Sequence, residues 1–183
     1  MKILITGGAG YFGSVLTDLL LKKGHKIIVY DDLSFGKTGV KPFINNRNYT
    51  FIKDTILNYK QIKKAVKDSD AVIHLASIVG EPNCIKNESM VSKINYEATK
   101  FLVDVCNHED TIKFIFLSTC SNYGKNEEVL SEGSMLNPLG LYSNSKIEAE
   151  NYIIDNCKID WLVLRMSTLF GTSYKMRLDI TIN

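Results

Sequence analysis

The sequence has few of the residues from which metal sites and disulfide frameworks are built. Its 183 residues include four cysteines, three histidines and three prolines. No two cysteines form a C-x-x-C pair, and none has a histidine at metal-ligand spacing, so neither a zinc site nor a disulfide is expected. Free cysteines are typical of reduced cytosolic proteins. We therefore predict no metal, reduced thiols and a cytoplasmic location; the cysteines are Cys84, Cys106, Cys120 and Cys157.

The sequence also lacks an excess of charge and a long apolar run. Lysine and arginine number 22 against 20 aspartates and glutamates, and the lysines are spread along the chain rather than gathered in a block. This balance argues against nucleic acid and against an anionic membrane as partners. No apolar run reaches the length of a membrane span, and Met1 leads directly into a predicted strand, so we expect neither a membrane segment nor a signal peptide.

What the sequence does contain is a regular alternation of apolar runs and amphipathic segments. The apolar runs are β-branched and nearly continuous, which is typical of parallel strands covered on both faces. The predicted strands are Lys2–Thr6, Lys26–Tyr30, Tyr49–Lys53, Ala71–Leu75, Ile112–Ser118 and Asp160–Arg165. The predicted helices are Tyr11–Lys23, Asn58–Lys67, Met90–His108 and Tyr142–Asn156. This order predicts an α/β fold: a Rossmann-type, doubly wound parallel sheet with the strand order 3-2-1-4-5-6.

The first strand runs directly into three glycines, Gly7, Gly10 and Gly13, which are spaced G-x-x-G-x-x-G. A strand that turns through such glycines into a helix brings backbone N–H groups against a pyrophosphate. The first two residues of that helix are Tyr11 and Phe12. Gly7 permits the tight turn, Gly10 permits close approach of the phosphate, and Gly13 permits tight packing of the helix on the strand. The sequence therefore predicts a dinucleotide-binding site.

Acidic residues close the second and third predicted strands. Asp31, with Asp32 beside it, lies roughly 20 positions after the glycines, where a carboxylate accepts hydrogen bonds from the adenosine ribose and repels a 2′-phosphate. NAD is therefore favoured over NADP, although an aspartate at the start of a loop is also common. Asp54, followed by Thr55, stands where the adenine amino group would lie, and a solvated loop aspartate is an equally good interpretation.

Small residues follow His74 at the end of the fourth predicted strand. With Leu75, Ala76 and Ser77 in these positions, the backbone could run close to a cofactor. We interpret His74 itself as a hydrogen-bonded structural residue rather than a catalyst.

The strongest indication of catalysis is a tyrosine and a lysine at the start of the last predicted helix. Residues i and i+4 share a helix face, so Tyr142 and Lys146 can reach one ligand. A nearby ammonium lowers the pKa of a phenol, which would let Tyr142 act as general base on a sugar or alcohol hydroxyl. Ser118 and Thr119 end the fifth strand, where Thr119 would hydrogen-bond the reacting oxygen and Ser118 would lie against the cofactor. Taken alone, these patterns are equally compatible with a surface helix and a Ser/Thr-rich turn.

Together these segments resemble the extended short-chain dehydrogenase/reductase family, and within it the NAD-dependent nucleotide-sugar epimerases and dehydratases of the UDP-glucose 4-epimerase type. The resemblance covers essentially the whole chain. It rests on residues 6–13, similar to T-G-G-x-G-[FY]-[IL]-G; 31–36, similar to D-N-L-S-x-G; 74–77, similar to H-L-A-A; 118–124, similar to S-[ST]-x-x-V-Y-G; the Tyr142 and Lys146 pair; and 165–171, similar to R-x-x-N-x-[YF]-G.

The resemblance implies an enzyme in which Thr119, Tyr142 and Lys146 are catalytic, with NAD as cofactor and a nucleotide sugar as substrate. Tyr142 would deprotonate the sugar 4-hydroxyl while hydride moves to NAD, and hydride would return to the other face of the transient 4-keto sugar. The resemblance also gives Asn95 a place near Lys146 in the cofactor site, and it implies a homodimer. The apolar seam of that dimer would come from residues that core packing explains equally well, namely Phe101, Val105, Tyr152 and Ile153.

Departures from the family pattern concern the substrate side. Cys120 and Ser121 replace the Asp-Glu pair of the dehydratases, which disfavours 4,6-dehydration, and Asn122 and Thr168 replace the usual Val and Asn. Family members run well past this length. We therefore expect residues 1–166 to form the NAD-binding domain and residues 167–183 to begin the connection to a largely absent substrate domain. The chain would then be a fragment of a longer enzyme, and whether the fragment is active by itself stays open. Two alternatives stay open: a sugar dehydrogenase or reductase on the same scaffold, and a non-catalytic dinucleotide-binding module.

Overall fold

The computed structural model describes residues 1–178. Its centre is one sheet of six parallel strands in the order β3-β2-β1-β4-β5-β6, which confirms the predicted Rossmann-type topology. The strands are β1 Lys2–Thr6, β2 Lys26–Asp31, β3 Tyr49–Lys53, β4 Ala71–His74, β5 Lys113–Thr119 and β6 Asp160–Met166. Because the strand order reverses between β1 and β4, the carboxyl ends of these two strands flank the crevice in which doubly wound sheets bind ligands.

Helices cover the sheet and differ from the prediction in one region. They are α1 Tyr11–Lys22, α2 Tyr59–Lys67, α3 Glu81–Lys86, α4 Glu88–Val91, α5 Ala98–Cys106 and α6 Leu141–Asn156. The single helix predicted over Met90–His108 is interrupted, because a π-helical turn, Ser92–Glu97, joins α4 to α5. The short α3 was not predicted; its Pro82 lies in the first turn, where proline is well tolerated.

Apolar side chains cover both faces of the sheet. On one face Leu4 and Phe114 pack with α2, α5 and α6, and on the other Ile5 and Val29 pack with α1. This two-sided burial explains why the strands are nearly continuous apolar runs. Within residues 1–178, no helix combines the length and the apolar character needed to cross a membrane.

The described residues after β6 return to the start of α1. The Tyr11 hydroxyl donates to the Gly171 carbonyl at 2.6 Å, and Ser173 Oγ donates to the Tyr11 carbonyl at 2.7 Å. The Tyr174 and Phe43 rings pack edge to face, with 5.3 Å between the ring centres. This segment therefore lies beside the turn between β1 and α1. A domain boundary at residue 166 stays a prediction, and residues 179–183 of the predicted connection lie outside the described residues.

Candidate active site

The glycine turn joins β1 to α1 at the carboxyl edge of the sheet. Gly7 has φ +71°, a left-handed conformation that favours glycine, and its N–H donates to the Tyr30 carbonyl at 2.9 Å. A Cβ on Gly13 would lie 2.5 Å from the Gly7 carbonyl oxygen. α1 begins at Tyr11, so its N-terminus, which attracts anions, lies at the turn. The turn and the helix packing predicted for Gly7 and Gly13 are confirmed, and the approach of a phosphate at Gly10 stays a prediction.

Replacing Gly7 with alanine is expected to lower the free energy of unfolding by about 2–5 kcal/mol, the sum of left-handed strain and steric overlap. The overlap arises because the new Cβ would lie 2.7 Å from the Ala76 backbone nitrogen. Gly24→Ala is the matched control, since Gly24 has φ +81° and no atom within 4 Å of its Cβ position. Urea unfolding of both variants measures the difference. Equal losses would show that the close approach of the turn to β4 has no steric consequence.

Asp31 lies against the glycine turn, whereas Asp32 turns into its own loop. The Asp31 carboxylate accepts hydrogen bonds from Ala9 N at 3.0 Å and from Leu33 N at 2.8 Å. Burial raises the pKa of Asp31, and the two backbone N–H groups oppose that rise. Each carboxylate oxygen can accept two hydrogen bonds, so these contacts leave capacity on both oxygens for ribose hydroxyls. The Asp32 carboxylate accepts from Ser34 N and Oγ, which closes a local turn.

Asp54 follows β3 beside Asp31, to whose carbonyl its N–H donates at 3.2 Å. The Asp54 carboxylate accepts from Thr55 N at 2.8 Å and from Asn58 Nδ2 at 2.7 Å, and Thr55 Oγ1 accepts from Leu57 N at 3.3 Å. These bonds shape the turn that leads into α2. They support the interpretation of Asp54 as a loop aspartate, which the sequence left open. A contact of Asp54 or Thr55 with adenine stays a prediction.

His74 is a structural residue, as predicted. It is 1% exposed, with Nδ1 2.6 Å from Thr6 Oγ1 and Nε2 2.9 Å from Thr99 Oγ1. Thr99 Oγ1 donates its own hydrogen to the Asn95 carbonyl at 2.8 Å, so it accepts from Nε2–H, and Nδ1 accepts from the Thr6 hydroxyl. Thr6 Oγ1 accepts in turn from Ala76 N at 3.3 Å. This chain of bonds specifies the neutral Nε2–H ring and ties the loop after β4 to β1.

Mild acid is expected to destabilise the protein through His74. Burial, with help from the Lys146 ammonium, lowers the pKa of His74 to about 3. The unfolded pKa is about 6.5, so the stabilising effect is fully present above that pH and is lost as the pH falls from there toward 3. The free energy of unfolding should fall by up to about 1.4 kcal/mol per pH unit in this window. Urea unfolding at several pH values measures the slope; a His74→Gln variant with an unchanged slope would contradict this assignment.

Asn95, in the π-helical turn, ties the loop after β4 to α6. Its Oδ1 accepts from Ile78 N at 2.8 Å and Ser77 Oγ at 3.0 Å, and its Nδ2 donates to the Ile78 carbonyl at 3.1 Å and Ser145 Oγ at 3.0 Å. Four bonds use the full capacity of an amide side chain. The N–H of Leu75 anchors the same loop to β1 at 3.1 Å. Asn95 therefore positions Ser77 and α6, while its own contact with a cofactor stays a prediction.

The structure brings Thr119 and Tyr142 together at the carboxyl edge of the sheet. Thr119 ends β5, is 8% exposed, and its Oγ1 accepts from Ser121 N at 3.1 Å. Burial raises the pKa of Tyr142 to about 12, and a hydrogen bond with the Thr119 side chain opposes that rise. The expectation that the Tyr142 pKa is lowered toward neutrality is therefore wrong in this structure, because a buried phenol resists ionisation. Ser118, also buried, accepts from Asn122 Nδ2 at 3.2 Å.

Lys146 lies one turn further along α6 and is 2% exposed. Its Nζ lies 4.1 Å from the centre of the Phe116 ring, a cation–π contact. Burial lowers the pKa of Lys146 to about 7, and the charge of Glu150 opposes that shift. Because burial removes part of the positive charge at neutral pH, Lys146 is a weaker source of phenolate stabilisation than an ordinary lysine.

Glu150, which the sequence analysis missed, is a buried counter-charge in this site. It is 1% exposed and accepts from Arg165 Nη2 at 2.7 Å, from Arg165 Nε at 3.0 Å and from Asn122 Nδ2 at 2.8 Å. The hydrogen bond to Glu150 raises the pKa of Arg165. The ion pair therefore joins α6 to β6 behind Lys146. The i, i+4 spacing from Lys146 to Glu150 was the available indication in the sequence.

Comparison with known proteins places this geometry in a family. The model of the NAD dependent epimerase/dehydratase family matches residues 3–181. The chain belongs to this family. A UDP-glucose epimerase of Bacillus subtilis, itself uncharacterised, is 31% identical to it, covering 93% of this chain and 57% of the relative. A dTDP-D-glucose 4,6-dehydratase of Dictyostelium discoideum is also 31% identical, covering 93% of this chain and 44% of the relative.

Solved structures of epimerases share the fold of this family member. The crystal structure of UDP-glucuronic acid 4-epimerase from Bacillus cereus, in complex with UDP-glucuronic acid and NAD, matches with a TM-score of 0.90 and 31% identity, covering 98% of this chain and 60% of that chain. The UDP-Glc/GlcNAc 4-epimerase from Campylobacter jejuni matches with a TM-score of 0.81 and 31% identity, covering 90% of this chain and 52% of that chain. The chain thus spans roughly half the length of these relatives. The predicted resemblance to nucleotide-sugar epimerases is confirmed.

Proposed function

We propose that the glycine turn and Asp31 bind NAD. The residues fit this cofactor, because no side chain at Gly7 or Gly10 stands between the backbone and a pyrophosphate, and the N-terminus of α1 lies at the turn. The Asp31 carboxylate keeps hydrogen-bonding capacity for the ribose hydroxyls, and its charge would repel a 2′-phosphate. Structural relatives were crystallised with NAD. When bound here, NAD would supply the hydride acceptor and donor.

The function that the site supports best is 4-epimerisation of a nucleotide sugar, with UDP-sugars as the first candidates because structural relatives act on them. The observation that carries this proposal is the position of Thr119 at the carboxyl end of β5, beside Tyr142 at the start of α6, with Lys146 one helical turn further on. Thr119 would orient the sugar 4-hydroxyl and Tyr142 would remove its proton. Because burial keeps the Tyr142 pKa at about 12, proton removal depends on positive charge brought near the phenol, to which Arg177 contributes in this structure.

An assay of both the sugar and the cofactor separates this function from its alternatives. The 183-residue chain, and any longer natural product of its gene, is incubated with UDP-glucuronic acid or UDP-glucose and followed by proton NMR and absorbance. We expect the 4-epimer to accumulate with no net NADH. Net NADH with an oxidised sugar would indicate a dehydrogenase, and elimination of water would indicate a dehydratase. Retained NAD without any conversion of sugar by either protein would indicate a binding module.

A homodimer in the cytoplasm is also part of this proposal. Phe101 and Tyr152 are partly buried on α5 and α6, where a second copy could cover them. Val105 and Ile153 are 6% and 0% exposed and belong to the core, so they form no part of a dimer seam. The cysteines of the described chain are free thiols, which fits a reducing compartment. A light-scattering mass of one chain would contradict the dimer.

A further inference from the structure

We propose that Glu81 is a positioning residue for Tyr142, whose role as general base belongs to the proposed function. The Glu81 carboxylate caps the first turn of α6 and so holds the Tyr142 phenol beside Thr119. Its Oε1 accepts from Leu141 N at 2.8 Å, and its Oε2 accepts from Tyr142 N at 3.1 Å. One carboxylate on α3 therefore binds the backbone of the candidate base itself.

The start of α6 needs such a partner from elsewhere in the chain. The first N–H groups of a helix have no acceptor within the helix, and a side chain at the N-cap usually supplies one. The N-cap of α6 is Gly140, which has no side chain. Glu81 satisfies two of these N–H groups with charge-assisted hydrogen bonds, and its negative charge interacts favourably with the helix dipole.

Gly140 provides the space that Glu81 occupies. Its φ is −161°, an extended conformation that any residue adopts, so the backbone does not require glycine here. A Cβ at this position would lie 2.3 Å from the Glu81 carboxyl carbon. The absence of a side chain at the N-cap is thus what allows the Glu81 carboxylate to reach the first turn of α6.

Glu81 is itself held by the loop that follows β4. Gly80, with φ +82°, directs the chain into α3, and Pro82 stabilises the first turn of that helix. Ile78, two residues before Gly80, is held by Asn95 through both its N–H and its carbonyl. The loop expected to lie against NAD is therefore linked through Glu81 to the helix that carries Tyr142.

The test compares Glu81→Ala and Glu81→Gln with a carboxylate that binds backbone elsewhere. The control is Asp70→Ala, since Asp70 accepts from Lys2 N at 2.7 Å at the opposite edge of the sheet. In Glu81→Ala, amide exchange at Leu141 and Tyr142 should be about fivefold to tenfold faster, as expected for loss of a helix cap. The ring ¹³C resonance of Tyr142, assigned by its loss in Tyr142→Phe, should move toward that of an exposed tyrosine. Glu81→Gln, which keeps one acceptor oxygen, should give a smaller change, and Asp70→Ala should alter neither readout.

Unchanged amide exchange and an unchanged Tyr142 resonance in folded Glu81→Ala and Glu81→Gln would overturn the proposal. In the epimerase assay, kcat of Glu81→Ala should fall by about tenfold or more while the affinity for NAD is kept, because a small displacement of a catalytic group slows the reaction strongly. The two proposals fail separately. Full activity of Tyr142→Phe would refute the proposed function. The capping role of Glu81 is instead judged by amide exchange in α6 and by the ring resonance of Tyr142, and neither measurement requires activity.

Discussion

Replacing Tyr142 with phenylalanine is expected to reduce the rate of sugar epimerisation by about 10²- to 10⁴-fold, the usual contribution of a positioned general base. The substitution removes the hydroxyl that lies beside Thr119 and leaves the ring in its half-buried place on α6. The affinity for NAD should change little, because the predicted cofactor contacts lie mainly at the glycine turn and Asp31. Steady-state kinetics of the wild-type and Tyr142→Phe proteins, with a parallel NAD titration, measure both effects.

Tyr152→Phe is the matched control for this experiment. Tyr152 lies on the same helix, and its hydroxyl donates to Asp104 at 2.5 Å. Its variant therefore also loses the partly buried hydrogen bond of a tyrosine hydroxyl. We expect its kcat to stay within about threefold of the wild type, because Tyr152 lies away from Thr119 and a lost hydrogen bond affects mainly stability. Equal kinetic losses in the two variants would show that Tyr142 acts only by packing.

Glu150→Ala is expected to lower the free energy of unfolding by about 3–5 kcal/mol, the typical effect of removing one partner of a buried ion pair. The variant leaves the Arg165 guanidinium without its carboxylate and Asn122 Nδ2 without its acceptor. It should also lower the pKa of Lys146 further, because the Glu150 charge raises that pKa in the wild type. Urea unfolding measures the stability, and ¹⁵N or ¹³C NMR of the lysine side chain measures the charge.

The control for Glu150 is an ion pair of similar length on the surface. Lys22 Nζ lies 2.6 Å from Asp18 Oδ2, and the Lys22 side chain is 69% exposed. Asp18→Ala should therefore lower the free energy of unfolding by no more than about 1 kcal/mol. A loss in Glu150→Ala that is no larger than that in Asp18→Ala would contradict a structural role for the buried pair.

The sheet and the glycine turn could be predicted from the sequence because their causes are local. The four central strands are apolar runs covered on both faces, and β5 departs from the prediction only in its limits, Lys113–Thr119 rather than Ile112–Ser118. The turn at Gly7 needs a left-handed residue next to a strand, and the i, i+4 spacing places Tyr142 and Lys146 on one helix face. These requirements are visible in short stretches of sequence.

The rest of the site depends on contacts between distant segments and on burial. Glutamates are rarely buried, so nothing in the sequence near Glu150 or Glu81 indicates that one pairs with Arg165 and that the other caps α6. The prediction of a lowered pKa for Tyr142 is wrong for the same reason. Its burial, not the neighbouring Lys146, has the largest effect, and burial follows from the packing of the whole domain.

The most direct test of the NAD site is an equilibrium titration of the 183-residue chain with NAD and with NADP, repeated with Asp31→Ser. We expect one NAD to bind per chain and NADP to bind at least about tenfold more weakly, a difference of about 1.4 kcal/mol that Asp31→Ser should reduce. Equal or tighter binding of NADP by the wild type, or no binding of either dinucleotide, would contradict the assignment of Asp31 and the glycine turn to NAD.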